Sequence, residues 1–302
     1  MTGEGTPTRA TSSRSASRAE SQARLDAEWL GSSAAARRLK SQLLGLAGLP
    51  FPVLFTGEAG SGRRRAARAL HAIGPWAEAP LLELDARAPL PQGGLPARGA
   101  VVVTHVEALP PDAQSLWSRV ARGRVLGPRL LATSSAAFPL HAFDAGFEPE
   151  LAASLLRFAV EVPPLRQRRA DVPDLARHFA LRIARELARP EQRLGEDALA
   201  ALREASWAGN VAELRRVVER TLAFSAGDEV AGEEVEAVLG EVQVSVAVLR
   251  DRHRGEERDA LLRALSDHGG NIARAAQQLG RSRAALYRLA EKHGVALQSR
   301  RS

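Results

Sequence analysis

Gly57-Glu58-Ala59-Gly60-Ser61-Gly62-Arg63-Arg64 has three glycines at the spacing of a loop that wraps phosphate oxygens in backbone N–H groups. Such a loop ordinarily continues with a lysine that reaches the outer phosphates and a hydroxyl residue that holds Mg²⁺. Here both positions are arginine. A helix N-terminus behind glycines can still receive an anion, and a guanidinium can pair with phosphate. Arg63 does not reproduce a compact ammonium, and Arg64 offers a metal no oxygen. These eight residues are the candidate nucleotide site; no catalytic residue and no metal ligand is assigned.

A second group of residues with recognisable chemistry lies near the C-terminus. Residues 250–302 carry a net charge of +6 and residues 1–40 one of +3, out of +7 for the chain, which leaves the middle slightly acidic. A basic terminal module on a near-neutral body suits a polyanion. Leu261, Leu262 and Leu265 recur at helical spacing, His268-Gly269-Gly270-Asn271 stops that helix and caps the next, and Gly280-Arg281-Ser282 turns into a third. Two short helices joined by a glycine-containing turn have helix-turn-helix geometry, with the second helix destined for a DNA major groove. The candidate DNA-contacting residues are Asn271, Arg281, Ser282, Arg283, Ala284, Tyr287, Arg288 and Lys292. Arginine both reads guanine edges and contacts phosphate, so the two roles stay open among them.

The elements that must position these groups alternate. Pro52–Thr56 is a short apolar run ending at the glycine loop, and Arg64–Ile73 reads as the helix after it. Residues 81–84, 100–103 and 129–133 are further strands, and 112–122 a helix. This repeat argues for a parallel sheet flanked by helices. After Pro163-Pro164 the strands stop and 171–188, 196–205 and 210–225 read as helices, with Asn210 a candidate cap for the last. The first 26 residues are mostly Thr, Ser, Arg, Ala and Gly, a composition of a disordered tail. The expected layout is a tail over 1–26, an α/β unit over 27–162, a helical lid over 163–240, a linker over 241–256 and a DNA-binding module over 257–302. With no cysteine there is neither a disulfide framework nor a thiolate metal site. The absence of a long apolar run or secretory leader gives the expectation of a cytoplasmic protein without a membrane partner.

Specific residues carry a family resemblance. Gly269-Gly270-Asn271, Ala275-Ala276, Leu279-Gly280, Ser282-Arg283 and Leu286-Tyr287-Arg288 resemble the Fis-type helix-turn-helix that ends the sigma-54-dependent transcriptional activators, the NtrC-like enhancer-binding proteins. Leu30-Gly31-Ser32-Ser33, the glycine loop, Ala67–His71, Gln114 with Leu116, Arg119 and Val120, Pro163–Arg168 with Asp171-Val172, and Trp207–Val211 with Glu213-Leu214 resemble that family's motifs in order. The resemblance covers residues 29–294 and implies an α/β P-loop AAA+ core with a parallel sheet, an all-α helical lid and a C-terminal three-helix module. It also implies double-stranded DNA as partner, a homo-oligomer (dimer or larger) and a protein regulator.

The same resemblance marks the departures. Thr104-His105 stand where the family has Asp-Glu for metal and water, Ser135 aligns with the first sensor, Glu148 and Ser154 with the arginine fingers, and Ala212 with the second-sensor arginine. Arg215 or Arg216, one turn from Ala212, and Glu107, two residues past His105, are the available substitutes. Residues 86–98 replace the insertion bearing the GAFTGA loop that touches sigma-54. The expectation is a DNA-binding regulator with a core inactive toward ATP, holding no cofactor, or ATP/ADP weakly and without Mg²⁺-dependent hydrolysis. The alternative is an ATP-regulated or slowly hydrolysing AAA+ regulator.

Overall fold

The computed structural model describes residues 9–92, 94–122, 127–143, 147–186, 191–279, 283–295 and 297; the side chains of 9–17, 140, 141, 243–254, 283–285, 288 and 292 lie outside the described set. The chain opens with helices α1 (Arg9–Glu28) and α2 (Ala34–Leu46), then alternates β1 (Val53–Thr56), α3 (Arg63–Ala72), β2 (Leu81–Asp85), β3 (Ala100–Thr104), α4 (Pro111–Arg122), β4 (Arg129–Thr133), α5 (Phe138–His141), α6 (Pro149–Leu156) and β5 (Ala159–Glu161). The strands form one parallel sheet in the order β2-β3-β4-β1-β5, with Val53 opposite Leu131 and Phe55 opposite Val160.

Alternation along each strand feeds two apolar layers, as a sheet covered on both faces requires. Val53, Phe55, Val102 and Leu131 pack with Leu39, Leu43, Ala66 and Leu70 on one side. Leu54, Val101, Val103, Leu130 and Ala132 pack with Trp117, Leu151 and Leu155 on the other. The carboxyl ends of the strands, where open α/β sheets bind ligands, carry Thr56, Thr104 and Thr133. Residues 86–99 join β2 to β3 by turns among the described residues.

The lid consists of α7 (Val172–Glu186), α8 (Glu196–Glu204) and α9 (Asn210–Phe224), plus the start of α10 (Gly232–Asp267). A two-residue parallel pair, β6 (Arg193–Leu194) with β7 (Glu229–Val230), ties its loops together. Leu175, Ile183, Leu202, Trp207, Leu214, Val217, Val235 and Leu239 form the lid core. Two short helices, α11 (Ile272–Gln278) and α12 (Arg283–Lys292), close the chain.

Two boundaries differ from expectation. Residues read as a disordered tail include α1, whose C-terminal half is anchored: Leu25 is fully buried, Lys40 Nζ meets Asp26 Oδ1 at 2.6 Å, and Arg65 Nε donates to the Glu28 carbonyl at 2.7 Å. A Ser/Thr/Arg-rich average conceals the single leucine that docks the segment. The stretch expected as a linker, 241–256, is continuous helix within α10. The segment contains no proline, and an isolated glycine such as Gly255 is tolerated inside a helix.

Candidate functional site

The glycine loop runs from the end of β1 to the start of α3, with Gly57, Gly60 and Gly62 at φ 144°, 75° and 105°. Packing demands the glycines independently of any ligand. A Cβ on Gly60 would stand 2.2 Å from the Gly209 carbonyl of the lid, and one on Gly57 would stand 2.8 Å from the Val162 carbonyl. Glu58 accepts two 2.7 Å bonds from Arg166 and one of 3.1 Å from Asn210, so its carboxyl sits below the usual range, chiefly through Arg166. Asn210 Nδ2 also donates to the Ala59 carbonyl at 3.0 Å, while its Oδ1 accepts from Leu165 N at 2.8 Å. Asn210 therefore does not cap α9, whose cap is Gly209 with no side-chain bond. It is fully buried at φ 57° and clasps the lid to the loop.

Arg63, the first residue of α3, directs its guanidinium across the cleft to the Ser134 carbonyl just beyond β4. Burial pulls it below its ordinary pKa, and the Glu107 carboxylate opposes that shift. Arg64 turns toward β2 and pairs with Glu83 at 3.0 Å. Ser61 is fully buried, and its carbonyl accepts from Arg168 Nη2 at 2.7 Å. Arg168 lies over the Trp29 ring at 4.8 Å, and burial pushes its pKa down to about 10.

The positions that would carry hydrolysis hold other contacts. Thr104 Oγ1 donates to the Leu84 carbonyl at 3.2 Å. His105, at φ 57°, sets Nδ1 3.2 Å from Asp85 Oδ2. Asp85 is gripped by Arg87 through Nε at 2.8 Å and Nη2 at 2.7 Å, which holds its carboxyl well below the ordinary range. Glu107 Oε1 accepts from Ser135 N at 2.9 Å. Glu148 caps α6 by accepting from Leu151 N at 2.7 Å, Ser154 lies within α6, and Ala212 N approaches the Gly60 carbonyl at 3.4 Å. Of the substitutes, Arg215 lines the cleft while paired with Glu186 at 3.2 Å; Arg216 is exposed outside it. Among the described residues no group of three His, Asp or Glu could hold a metal. The donor set does not fit Mg²⁺, which favours carboxylate and hydroxyl oxygens.

Phosphate chemistry fits better. The loop opens into a cleft of about 630 Å³ lined by six arginines (63, 64, 65, 168, 182 and 215) against the two carboxylates Glu28 and Asp85. Trp29, Leu30, Leu175, Phe179 and Val211 supply an apolar wall. Three buried polar atoms here, Trp29 Nε1, Ser61 Oγ and Arg168 Nε, have no hydrogen-bond partner among the described residues. Each such atom costs on the order of 1–3 kcal/mol when unsatisfied. Trp29, Thr133, Arg168, His178 and Phe179 were not assigned from sequence. They come from the turn after α1, from β4, the lid junction and α7, and no spacing rule joins them.

In the C-terminal module Leu261, Ala264, Ala275, Ala276, Leu286, Leu289 and Ala290 form the core. Gly269 and Gly270 adopt φ 56° and 80°, and Asn271 Oδ1 caps α11 by accepting from Ala273 N and Arg274 N at 3.1 and 3.2 Å. Tyr287 is 51% exposed. Arg283, Ala284, Arg288 and Lys292 fall on α12 with side chains outside the described set; Arg281 and Ser282 lie outside the described residues. His293 Nε2 contacts Glu257 Oε2 at 3.0 Å and closes α12 onto α10, a contact absent from the sequence reading.

A parallel P-loop sheet, a helical lid clasped onto the loop and a terminal helix-turn-helix define the class: an AAA+ core joined to a DNA-binding domain. Three family models lie along the chain: the sigma-54 interaction domain at residues 30–165, the AAA+ ATPase lid domain at 166–249 and the bacterial regulatory protein Fis family at 254–291. The chain thus carries, in this order, a sigma-54 interaction domain, an AAA+ lid and a Fis-type helix-turn-helix, and is similar in these domains to sigma-54-dependent transcriptional activators. It is 28% identical to the nitrogen assimilation regulatory protein NtrX of Azorhizobium caulinodans, over 80% of this chain and 64% of that protein. It is also 28% identical to the nitrogen fixation protein AnfA of Azotobacter vinelandii, over 82% and 54%. The chain thus spans about half to two thirds of the length of these curated relatives. A crystal structure of NtrX from Brucella abortus in complex with ATP superposes with a TM-score of 0.61 at 27% identity, covering 95% of this chain and 74% of that one. Among the described residues no helix is long and apolar enough to cross a membrane.

Proposed function

We propose that this chain is a sequence-specific DNA-binding transcription regulator whose AAA+ core holds subunits together without hydrolysing ATP. The observation that carries this reading is Arg63. Its guanidinium is bonded to the Ser134 carbonyl, while neither Thr104 nor His105 supplies a carboxylate for metal or water. An arginine finger contributes about 10³–10⁵ in rate to phosphoryl transfer where one is used. Glu148 and Ser154, at the finger positions, offer no such cation.

Recognition falls to α12, the second helix of the helix-turn-helix, entering the major groove. Paired modules on a homo-oligomeric core gain affinity through effective concentration, which suits a two-fold symmetric DNA site. The short turn connection over 86–99 supports a regulator without the sigma-54 contact loop. In one assay, phosphate release from ATP is expected to stay at background with and without Mg²⁺. In another, selection from random duplexes should return a defined site. Turnover that disappears in Arg63→Ala would overturn the inactive core.

A second reading is favoured by the cleft itself: six arginines, an apolar wall and three unpartnered buried polar atoms support retention of a nucleotide as ligand. NtrX from Brucella abortus, which superposes on this chain, has been crystallised with ATP and with ADP. In this reading nucleotide sets the lid or the assembly, and is released unchanged.

A further inference from the structure

We infer that the cleft binds a nucleoside polyphosphate as the metal-free anion, its charge met by the protein's own guanidinium groups in place of Mg²⁺. The inference rests on the second reading above, that the cleft retains a nucleotide, and specifies the ionic form it takes.

The carboxylates that would bring a divalent cation to the loop are missing from the expected positions or already bonded to other groups. The hydroxyl position is Arg64, turned to Glu83. The strand-end pair is Thr104-His105, neither of them a carboxylate, and the Thr104 hydroxyl is turned to the Leu84 carbonyl, to which it donates. The nearest carboxylate in the neighbouring strand, Asp85, is held by two Arg87 nitrogens and lies against His105. Glu107 Oε1 takes the Ser135 N–H. A metal binding at Asp85 would compete with the Arg87 pair for the same carboxylate.

Cations, in contrast, are already in place. Arg63 and Arg168 donate to carbonyl oxygens, those of Ser134 and Ser61, and form no ion pair with a carboxylate within 4 Å among the described residues. Arg168 Nε, Ser61 Oγ and Trp29 Nε1 are buried without partners among the described residues. The N-terminus of α3, a ten-residue helix, points its free N–H groups into the same space. Arg63 is thus the residue that changes state: it leaves the Ser134 carbonyl for the incoming phosphate. Bidentate guanidinium–phosphate pairing is strong enough to serve, and needs no metal geometry.

Calorimetric titration of the full chain with ATP, ADP and adenosine, once in Mg²⁺ and once in EDTA, tests this. Dissociation constants for ATP and ADP are expected to agree within about twofold between the two buffers, with adenosine binding at least roughly tenfold more weakly. Binding that needs Mg²⁺ would overturn the metal-free form and leave the nucleotide reading standing. No binding of either nucleotide in either buffer would overturn both. Arg63→Gln is expected to weaken ADP binding in EDTA by roughly tenfold; unchanged affinity would remove Arg63 from the role. Arg182→Gln, on a half-exposed cleft side chain, provides the same comparison, with an expected loss of about threefold, should Arg63→Gln fail to fold.

Discussion

The glycine loop and the C-terminal helices carry the two recognisable motifs of this chain, and they retain different things. The C-terminal module combines its framework, a packed core with glycine turns and the Asn271 cap, with the basic residues of a nucleic-acid reader. The loop retains backbone and exchanges side chains. The difference follows from what each motif is made of. A phosphate cradle is mostly backbone N–H, so it survives substitution of every side chain around it; hydrolysis depends on a few carboxylates and cations and does not. Conformation and packing also hold the glycines in place. Gly60 is required by the lid carbonyl of Gly209 whether or not a phosphate is ever bound.

The largest effect that would sharpen this contrast is Gly60→Ala. At φ 75°, with the new Cβ 2.2 Å from the Gly209 carbonyl, the lid must move. Chemical denaturation should show a loss of about 2–4 kcal/mol, with DNA binding by the folded chain retained. Wild-type stability would show that the glycine serves only a ligand. Next comes Asn210→Ala, which strips hydrogen bonds from Leu165 N and the Ala59 carbonyl at a fully buried site. A loss of about 2–3 kcal/mol is expected in the same measurement. On the other side of the comparison, Arg283→Ala and Arg288→Ala should each weaken a gel-shifted complex by about 1–3 kcal/mol, with affinity falling steeply as salt rises. If both variants bind as the parent does, α12 is not the reader.

The smallest effect is a pH dependence at His71. This ring is buried, contacts the Ala79 carbonyl through Nε2, and has its pKa lowered from 6.5, chiefly by burial. The unfolded chain therefore takes the proton first as pH falls through 6.5, and stability declines below that point. Melting curves between neutral and mildly acidic pH should show the decline, and His71→Gln should flatten it.

Much of the architecture was legible in residue order. Apolar runs such as Ala100–Val103 are continuous because both faces of the strand are covered, and they located β1 to β4. Strand β5 escaped because Ala159–Glu161 buries only its central valine. Helix α1 escaped because one docked leucine is invisible in a Ser/Arg-rich average. At the cleft, the eight loop residues could be read from spacing and the exchanged catalytic positions from the family resemblance, while Trp29, Thr133 and Arg168 could be assigned to the site by neither. They converge from three parts of the chain, and only the chain's path brings them together.

The sequence by itself determined the order of domains, the glycine loop, the exchange of lysine for Arg63 and the basic C-terminal helices, since each is a local pattern with a local physical cause. Tertiary structure decided where those groups point. It sent Arg63 to the Ser134 carbonyl, turned Asn210 from a cap into a clasp, tied Asp85 to Arg87 and His105, and gathered arginines from the glycine loop, the lid junction and the lid around one cleft. Those outcomes depend on partners 71 residues away for Arg63 and 151 for Asn210, and no local pattern encodes contacts at that separation.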